Sequence, residues 1–269
     1  MTSGIPALAL ARAVDTLRAA GCVFAEDEAA VLAAAATDAA ALMALVRRRS
    51  DGEPLEQVVG YADFCGVRVR LRPGVFVPRV RSELLVRLAA EHARDIRSRR
   101  PVVVDLCCGS GALGLAVRHR VPDAELYAAD VDPVAVACAR DNLALTDAQV
   151  FAGDLFDALP PGLRGRVDVL IANVPYVATR HLPLLPAEAR LHEPRTALDG
   201  GADGLDVFRA VAAEAPAWLA AGGVLFSEIT DAQADAASAA THAAGLHPAV
   251  CHDADLEATT IQGHRAPPD

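Results

Sequence analysis

A chain of 269 residues, 53% of them hydrophobic, has enough material for a sizeable core, and its length suits one large domain or one with a small appendage. Its formal net charge is −10 and every basic residue is Arg, with no Lys. That acidic balance argues against direct nucleic-acid binding, which leaves a basic footprint. Six Cys without a Cys-x-x-Cys pair argue against a metal centre or a secreted disulfide framework. With no secretory leader evident, they are expected to be free thiols in a cytoplasmic protein.

From Ile5 to about Arg49 the chain is rich in Ala and Leu with interspersed charges, which predicts two or three short amphipathic helices punctuated by Gly21 and Asp51-Gly52. The most apolar stretch, Ala29 to Val46, is broken by Thr37-Asp38 and too Ala-rich to read as a membrane span. Arg47-Arg48-Arg49 and the Arg97 to Arg100 cluster read as solvated groups near helix ends, where cations complement the helix dipole. Val58 to Val77 carries Tyr61, Phe64, Val67, Val69 and Leu71 around Gly66 and a Pro73-Gly74 turn, the pattern of a β-hairpin. Ser82 to Ala93 is expected to be helical.

Strands and helices then alternate. Val102 to Leu106 precedes a helix from Ala112, Glu125 to Ala129 precedes a helix over Pro133 to Leu145, and Val150-Phe151 and Val167 to Ala172 follow. Leu205 to Leu219 reads as a helix, Gly222-Gly223 as a turn, Val224 to Ile229 as a strand and Ala232 to Ala244 as a helix. Two last strands, around His247 to Cys251 and Thr259 to Gln262, would make an antiparallel edge. This is an α/β chain with a doubly wound, seven-stranded Rossmann-like sheet. Ligands of such sheets sit at the carboxyl ends of strands, where Asp105, Asp130, Asp154 and Asn173 all fall.

Two local motifs carry chemistry. Asp105-Leu-Cys-Cys-Gly109-Ser-Gly111-Ala-Leu-Gly114 lies between strand and helix, and its G-x-G-x-x-G spacing with Asp130 downstream also fits a dinucleotide site. Asp105 at the loop entrance favours a ligand with an ammonium, such as the methionine moiety of S-adenosylmethionine, over a pyrophosphate, which it would repel. Downstream, Asn173-Val174-Pro175-Tyr176 closes the apolar run Val167 to Ala172, which only Asp168 breaks. Asn and Pro also form turns. Behind an Asp-led glycine loop, however, this tetrapeptide is similar to the one with which S-adenosylmethionine-dependent N-methyltransferases hold a planar nitrogen. Cys107 and Cys108 are small packing residues in this reading.

The order of these segments resembles the PrmC/HemK family, the glutamine-N5 methyltransferases that act on peptide-chain release factors. Glu53-Pro54-Leu55, Val59-Gly60, Phe64-Cys65-Gly66, Pro73 to Arg79, the glycine loop, Asp130, Asp154-Leu155, Asn-x-Pro-Tyr, Glu193-Pro194 with Ala197-Leu198, and Asp203-Gly204-Leu205 follow as in that family. The resemblance implies a class I methyltransferase fold, with residues 1–55 as an amino-terminal helical substrate-recognition domain, 56–78 as a β-hairpin linker and 79–269 as the catalytic domain. It implies S-adenosylmethionine held by Asp105, Cys107, Gly109, Gly111, Asp130, Val131, Asp154, Leu155 and Asn173, with Asp130 on the ribose hydroxyls. Asn173, Val174, Pro175 and Tyr176 would form the catalytic tetrapeptide, and no metal is implied.

Two departures stand out. The family usually has Asn-Pro-Pro-Tyr where this chain has Val174, and Pro-Arg-Pro-Glu-Thr-Glu where it has Pro78-Arg79-Val80-Arg81-Ser82-Glu83. The closest likeness is thus to a PrmC-related branch. Two kinds of acceptor stay open: a release-factor-like protein, or a small amide or guanidino compound such as L-arginine. For the second, Arg79 and Arg81 would hold a carboxylate and Glu193 and Glu228 a guanidinium. With a protein substrate, Arg81→Glu is expected to be neutral or helpful.

Overall fold

The computed structural model describes residues 5–267; residues 1–4 and 268–269, included in the expected first and last domains, lie outside the described residues. Helices α1 (Ala7–Ala19), α2 (Ala25–Ala35) and α3 (Ala39–Ser50) form within the Ala- and Leu-rich stretch and bury Leu17, Leu32, Leu42 and Val46 against one another. Asp38 caps α3 by accepting from the Ala41 N–H at 2.8 Å, which fixes the break at Thr37-Asp38. A short helix α4 (Leu55–Val59), too brief to show a periodicity, adds Val58 to the same core. The helical unit therefore reaches Val59, and the boundary drawn at residue 55 falls inside α4.

Strands β1 (Tyr61–Phe64) and β2 (Val67–Arg70) pair antiparallel as the expected hairpin. It is more than a linker. Phe64 and Val69 enter the core of the larger unit, and Asn142 both accepts from the Arg70 N–H and donates to the Arg70 carbonyl.

The rest alternates: α5 (Glu83–Asp95), β3 (Val102–Leu106), α6 (Ala112–Arg120), β4 (Glu125–Asp130), α7 (Pro133–Leu143), β5 (Gln149–Ala152), β6 (Val167–Ala172), α8 (Ala187–His192), α9 (Asp206–Trp218), β7 (Leu219–Ile229), α10 (Ala234–Ala243), β8 (His247–Asp253) and β9 (Ala258–His264). The strands form one sheet in the order β5-β4-β3-β6-β7-β9-β8, parallel except for β9, which runs antiparallel to both neighbours. Val103, Val169 and Ile171 face a core with α5 and α6, whereas Val102, Val104 and Leu170 face one with α9. Central strands of a parallel sheet are buried on both faces, which is why β3 and β6 read as apolar runs broken only by Asp105 and Asp168. The chain turns back across the sheet between β3 and β6, so a crevice opens at the carboxyl ends of these two strands.

Gly222-Gly223 is not a turn before a strand but lies within β7. Val167 stands opposite Leu219 and Val169 opposite Val224, so the intervening β7 residues bulge out of register. The Arg clusters are exposed as expected at Arg47, Arg48, Arg97, Arg99 and Arg100, and Arg49 is the exception. Arg49, with its side chain 11% exposed, binds both Glu28 and Glu188, and Arg99 donates twice, at 2.6 Å, to the buried Asp168, which also accepts from the Val102 N–H. Arg99→Ala leaves that carboxylate buried with one donor. Unfolding free energy is expected to fall by about 1–3 kcal/mol, below the cost of breaking a fully buried pair because Arg99 itself is half exposed. In urea this appears as a lower midpoint at unchanged slope.

Candidate active site

A cavity of about 440 Å³ opens at the carboxyl ends of β3, β4 and β6, a size ordinary for cofactor sites. Its walls include Asp105, Cys107, Gly109, Asp130, Val131, Asn173, Val174, Pro175, Tyr176, Arg79 and Arg81. Of the residues expected from sequence, Gly111, Asp154, Leu155, Glu193 and Glu228 lie outside this lining. The cavity also takes in Gly74 to Phe76 from the hairpin side and Leu185 to Ala189 and Thr196 to Leu198 beyond β6. Gly74 to Phe76 and Ala197-Leu198 belong to segments that carry the family resemblance, whereas Leu185 to Ala189 had no legible signal, because a short turn broken by Pro186 carries no periodicity.

The glycine loop turns sharply out of β3. Gly111 caps α6 with φ 75°, and a Cβ there would stand 3.2 Å from the Ala139 Cβ, so both backbone and packing call for glycine. Cys107, although not glycine, has φ 54°, and Leu155 after β5 has φ 40°. Left-handed residues of this kind cluster where a loop is shaped for a ligand. Asp130 ties the loop to β4: one carboxylate oxygen accepts from the Gly109 N–H at 2.8 Å and the other from the Asp132 N–H at 2.9 Å. Burial pushes its pKa up, opposed by these main-chain donors. The Cys107 thiol is pushed up to about 12, first by burial and then by Asp130. That makes it inert packing rather than a nucleophile.

Asp105 is 1% exposed and accepts from the Gly114 N–H at 2.8 Å. Burial, and then the like charge of Asp130, push its pKa up to about 7 against the pull of that hydrogen bond, and no cationic side chain contributes. A buried carboxylate without a cation, in the wall of a cavity floored by a glycine loop, fits the α-ammonium of the methionine part of S-adenosylmethionine. Below about pH 7 the free protein holds a proton on Asp105 that such a ligand must displace. Affinity is therefore expected to be full above pH 7 and to weaken by up to ~10-fold per unit as pH falls below it. Calorimetric titration across this range checks the slope, and Asp105→Asn should flatten it. In the free fold the same raised pKa costs stability as pH climbs from the ordinary aspartate range through about 7.

Around the tetrapeptide, Asn173 donates through Nδ2 to the Ser82 Oγ at 3.3 Å, and its Oδ1 is buried with no partner. Among the described hydrogen bonds none ends on the Val174 carbonyl or starts from the Val174 N–H. Tyr176 donates its O–H to Glu228 Oε1 at 2.6 Å and accepts from Arg81 Nη2 at 2.6 Å. The four side chains expected to meet a substrate are paired with one another. Arg79 donates to both oxygens of Glu193, at 2.7 and 2.6 Å, and Arg81 Nε donates to Glu228 Oε1 at 2.7 Å.

That pairing alters one expectation. Glu228 is 2% exposed, so Arg81→Glu sets two carboxylates together beside Tyr176 and is harmful whatever the substrate. A stability loss of about 1–3 kcal/mol is expected, moderated by solvent around Arg81. Thermal unfolding of the variant measures it.

The family model described as "Methyltransferase small domain" matches residues 66–203. The release factor glutamine methyltransferase of Geobacter sulfurreducens is 37% identical over 198 residues, covering 73% of this chain and 67% of that protein. The chain belongs to the PrmC/HemK family. It is an S-adenosylmethionine-dependent methyltransferase. A second relative, the 4-amino-L-phenylalanine/4-methylamino-L-phenylalanine methyltransferase of Streptomyces pristinaespiralis, is 36% identical over 231 residues, 83% of this chain and 78% of that one. Among solved structures, a T. thermophilus 16S rRNA methyltransferase in complex with AdoMet and guanosine superposes with a TM-score of 0.54 at 21% identity, covering 76% of this chain and 49% of the other. At that identity the likeness concerns the class I methyltransferase fold alone. Among the described residues of this methyltransferase no helix is long and apolar enough to cross a membrane.

Proposed function

We propose that this methyltransferase N-methylates a planar side-chain nitrogen, the glutamine amide of a release-factor-like protein. The observation that carries the reading is the unpartnered, buried Asn173 Oδ1 in a residue that lines the cavity, next to a free Val174 carbonyl. A buried oxygen without a donor costs about 1–3 kcal/mol, a cost removed when a ligand N–H reaches it. The –NH2 of an amide has two N–H groups to offer. With one on Asn173 Oδ1 and the other on the Val174 carbonyl, the nitrogen is held with its lone pair normal to the amide plane.

Bound S-adenosylmethionine supplies an electrophilic methyl on its sulfonium. Asp105, Asp130 and the Gly109 main chain would hold it, leaving the tetrapeptide to hold the acceptor. An amide lone pair is delocalised and weakly nucleophilic. The residues act by orientation, for which good alignment contributes on the order of 7–11 kcal/mol. A pre-formed base is unnecessary, since the nitrogen becomes acidic as its bond to the methyl forms. Tyr176 borders the acceptor site with its hydroxyl engaged by Glu228 and Arg81.

For a protein acceptor, the helical unit supplies a second surface. It reaches the cavity wall through Arg49, which bonds Glu188, and through Gln57, which donates to the Val75 and His192 carbonyls. A free small molecule is the second reading, and the relative named for 4-amino-L-phenylalanine supports it, at 36% identity against 37% for the release-factor relative. For free L-arginine in particular, the two acids expected to meet a guanidinium, Glu193 and Glu228, are paired with Arg79 and Arg81. Labelled S-adenosylmethionine offered with a release factor bearing a Gly-Gly-Gln loop, with 4-amino-L-phenylalanine and with L-arginine decides between them. Label in the release factor alone supports the proposal, and label in a small molecule alone overturns it.

A further inference from the structure

We propose that Ser82 and Glu228 are positioning residues for methyl transfer, because together they fix which end of the Asn173 side-chain amide faces the acceptor. This rests on the reading of Asn173 as the acceptor of a substrate N–H. A carboxamide has nearly the same shape either way round, but its two ends have opposite chemistry. With oxygen toward the substrate it accepts from an N–H, and with nitrogen toward the substrate it would repel one. Nothing in Asn173 itself chooses between these.

The choice comes from a directed chain of hydrogen bonds. Glu228 presents a carboxylate, which only accepts. Its Oε1 is occupied by Arg81 Nε at 2.7 Å and by the Tyr176 O–H at 2.6 Å. Its Oε2 is left for Ser82, whose hydroxyl donates to it at 2.6 Å. A serine has one proton to give, so once it is committed to Glu228 only lone pairs remain toward Asn173. Ser82 is 0% exposed, which shields its hydroxyl from bulk water. The Asn173 amide must then turn its Nδ2–H to Ser82, as it does at 3.3 Å, and Oδ1 is the end left over. Flipping the amide would set Oδ1 against the Ser82 lone pairs.

The parts come from distant stretches: Ser82 from the turn before α5, Glu228 from β7, Asn173 from the end of β6. Arg81 and Tyr176 hold the first link in place. Arg81 thus belongs to this relay through Glu228, which gives the charge at residue 81 a role that needs no contact with substrate.

The test compares Ser82→Ala, Ser82→Thr and Glu228→Gln with wild type, using labelled S-adenosylmethionine and whichever of the release factor or 4-amino-L-phenylalanine wild type methylates. Ser82→Ala is expected to lower kcat by roughly 10- to 100-fold with KM and cofactor affinity nearly unchanged, the signature of a misoriented group rather than a lost contact. Ser82→Thr keeps the hydroxyl and should restore most of kcat. Glu228→Gln is close in size but can offer N–H to Ser82, which frees the hydroxyl proton for Asn173 and reverses the amide; kcat should fall as in Ser82→Ala. Wild-type kcat in Ser82→Ala, or equal damage in Ser82→Thr and Ser82→Ala with folding and cofactor binding intact, would overturn the relay. A second readout needs no substrate. The Asn173 side-chain amide protons, assigned in NMR spectra by their loss in Asn173→Ala, should exchange slowly with water in wild type and faster in Ser82→Ala. Unchanged exchange rejects the relay, whereas wild type methylating neither acceptor counts only against the proposed function.

Discussion

Asn173→Ala is expected to lower kcat by at least ~100-fold while leaving affinity for S-adenosylmethionine within ~2-fold of wild type. The two effects separate because, among the described residues, the Asn173 side chain donates to Ser82 and leaves Oδ1 without a partner, whereas the groups tying the glycine loop to β4 lie on Asp130. Removing the amide deletes one of two acceptors for the substrate N–H and also breaks the aim of the nitrogen. Val174→Pro is expected to be tolerated. The second acceptor is the main-chain carbonyl of residue 174, and among the described residues the Val174 N–H makes no hydrogen bond that Pro would remove. Stopped assays with labelled methyl donor, alongside calorimetry of cofactor binding, measure both numbers. Full turnover in Asn173→Ala would reduce the tetrapeptide to a turn.

Asp130→Ala should weaken S-adenosylmethionine binding by about 2–3 kcal/mol, roughly 30- to 150-fold, the range for hydrogen bonds to a charged acceptor. Two sources combine. The carboxylate lies in the cavity wall, where the family places the ribose hydroxyls, and it accepts from the Gly109 and Asp132 N–H groups, so its loss also loosens the glycine loop. Asp130→Asn keeps one carbonyl oxygen and should fall between wild type and Ala. Calorimetry reads the series. Affinity unchanged in Asp130→Ala, or a nicotinamide dinucleotide bound in place of S-adenosylmethionine, would remove Asp130 from the cofactor site.

The sequence by itself determined the sheet and the crevice in which Asp105, Asp130 and Asn173 meet. Apart from Asp105 and Asp168, Val102 to Leu106 and Val167 to Ala172 are apolar on both faces, as central parallel strands need. Whatever ends such strands is brought to one crevice, so Asp105, Asp130 and Asn173 could be placed together from spacing alone. The pairing His247–Cys251 with Thr259–Gln262 was legible for a similar reason, and it forms the antiparallel edge of β8 and β9. Local chemistry on a regular scaffold survives translation from one dimension to three.

What only the tertiary structure decided depends on which distant side chains meet. Arg79, Arg81, Glu193 and Glu228 read in sequence as free groups for a substrate; folding pairs them, and the cations offset the cost of burying the Glu193 and Glu228 carboxylates. Gly222-Gly223 read as a turn, and strand pairing with β6 turned it into a bulge of β7. α4 and α8 are too short for periodicity to mark, and packing against larger neighbours is what makes them helices. The orientation of Asn173 belongs to the same class. It is set by Ser82 and Glu228, residues 91 and 55 positions away in the chain, and a hydrogen-bond direction passed between them has no trace in local sequence.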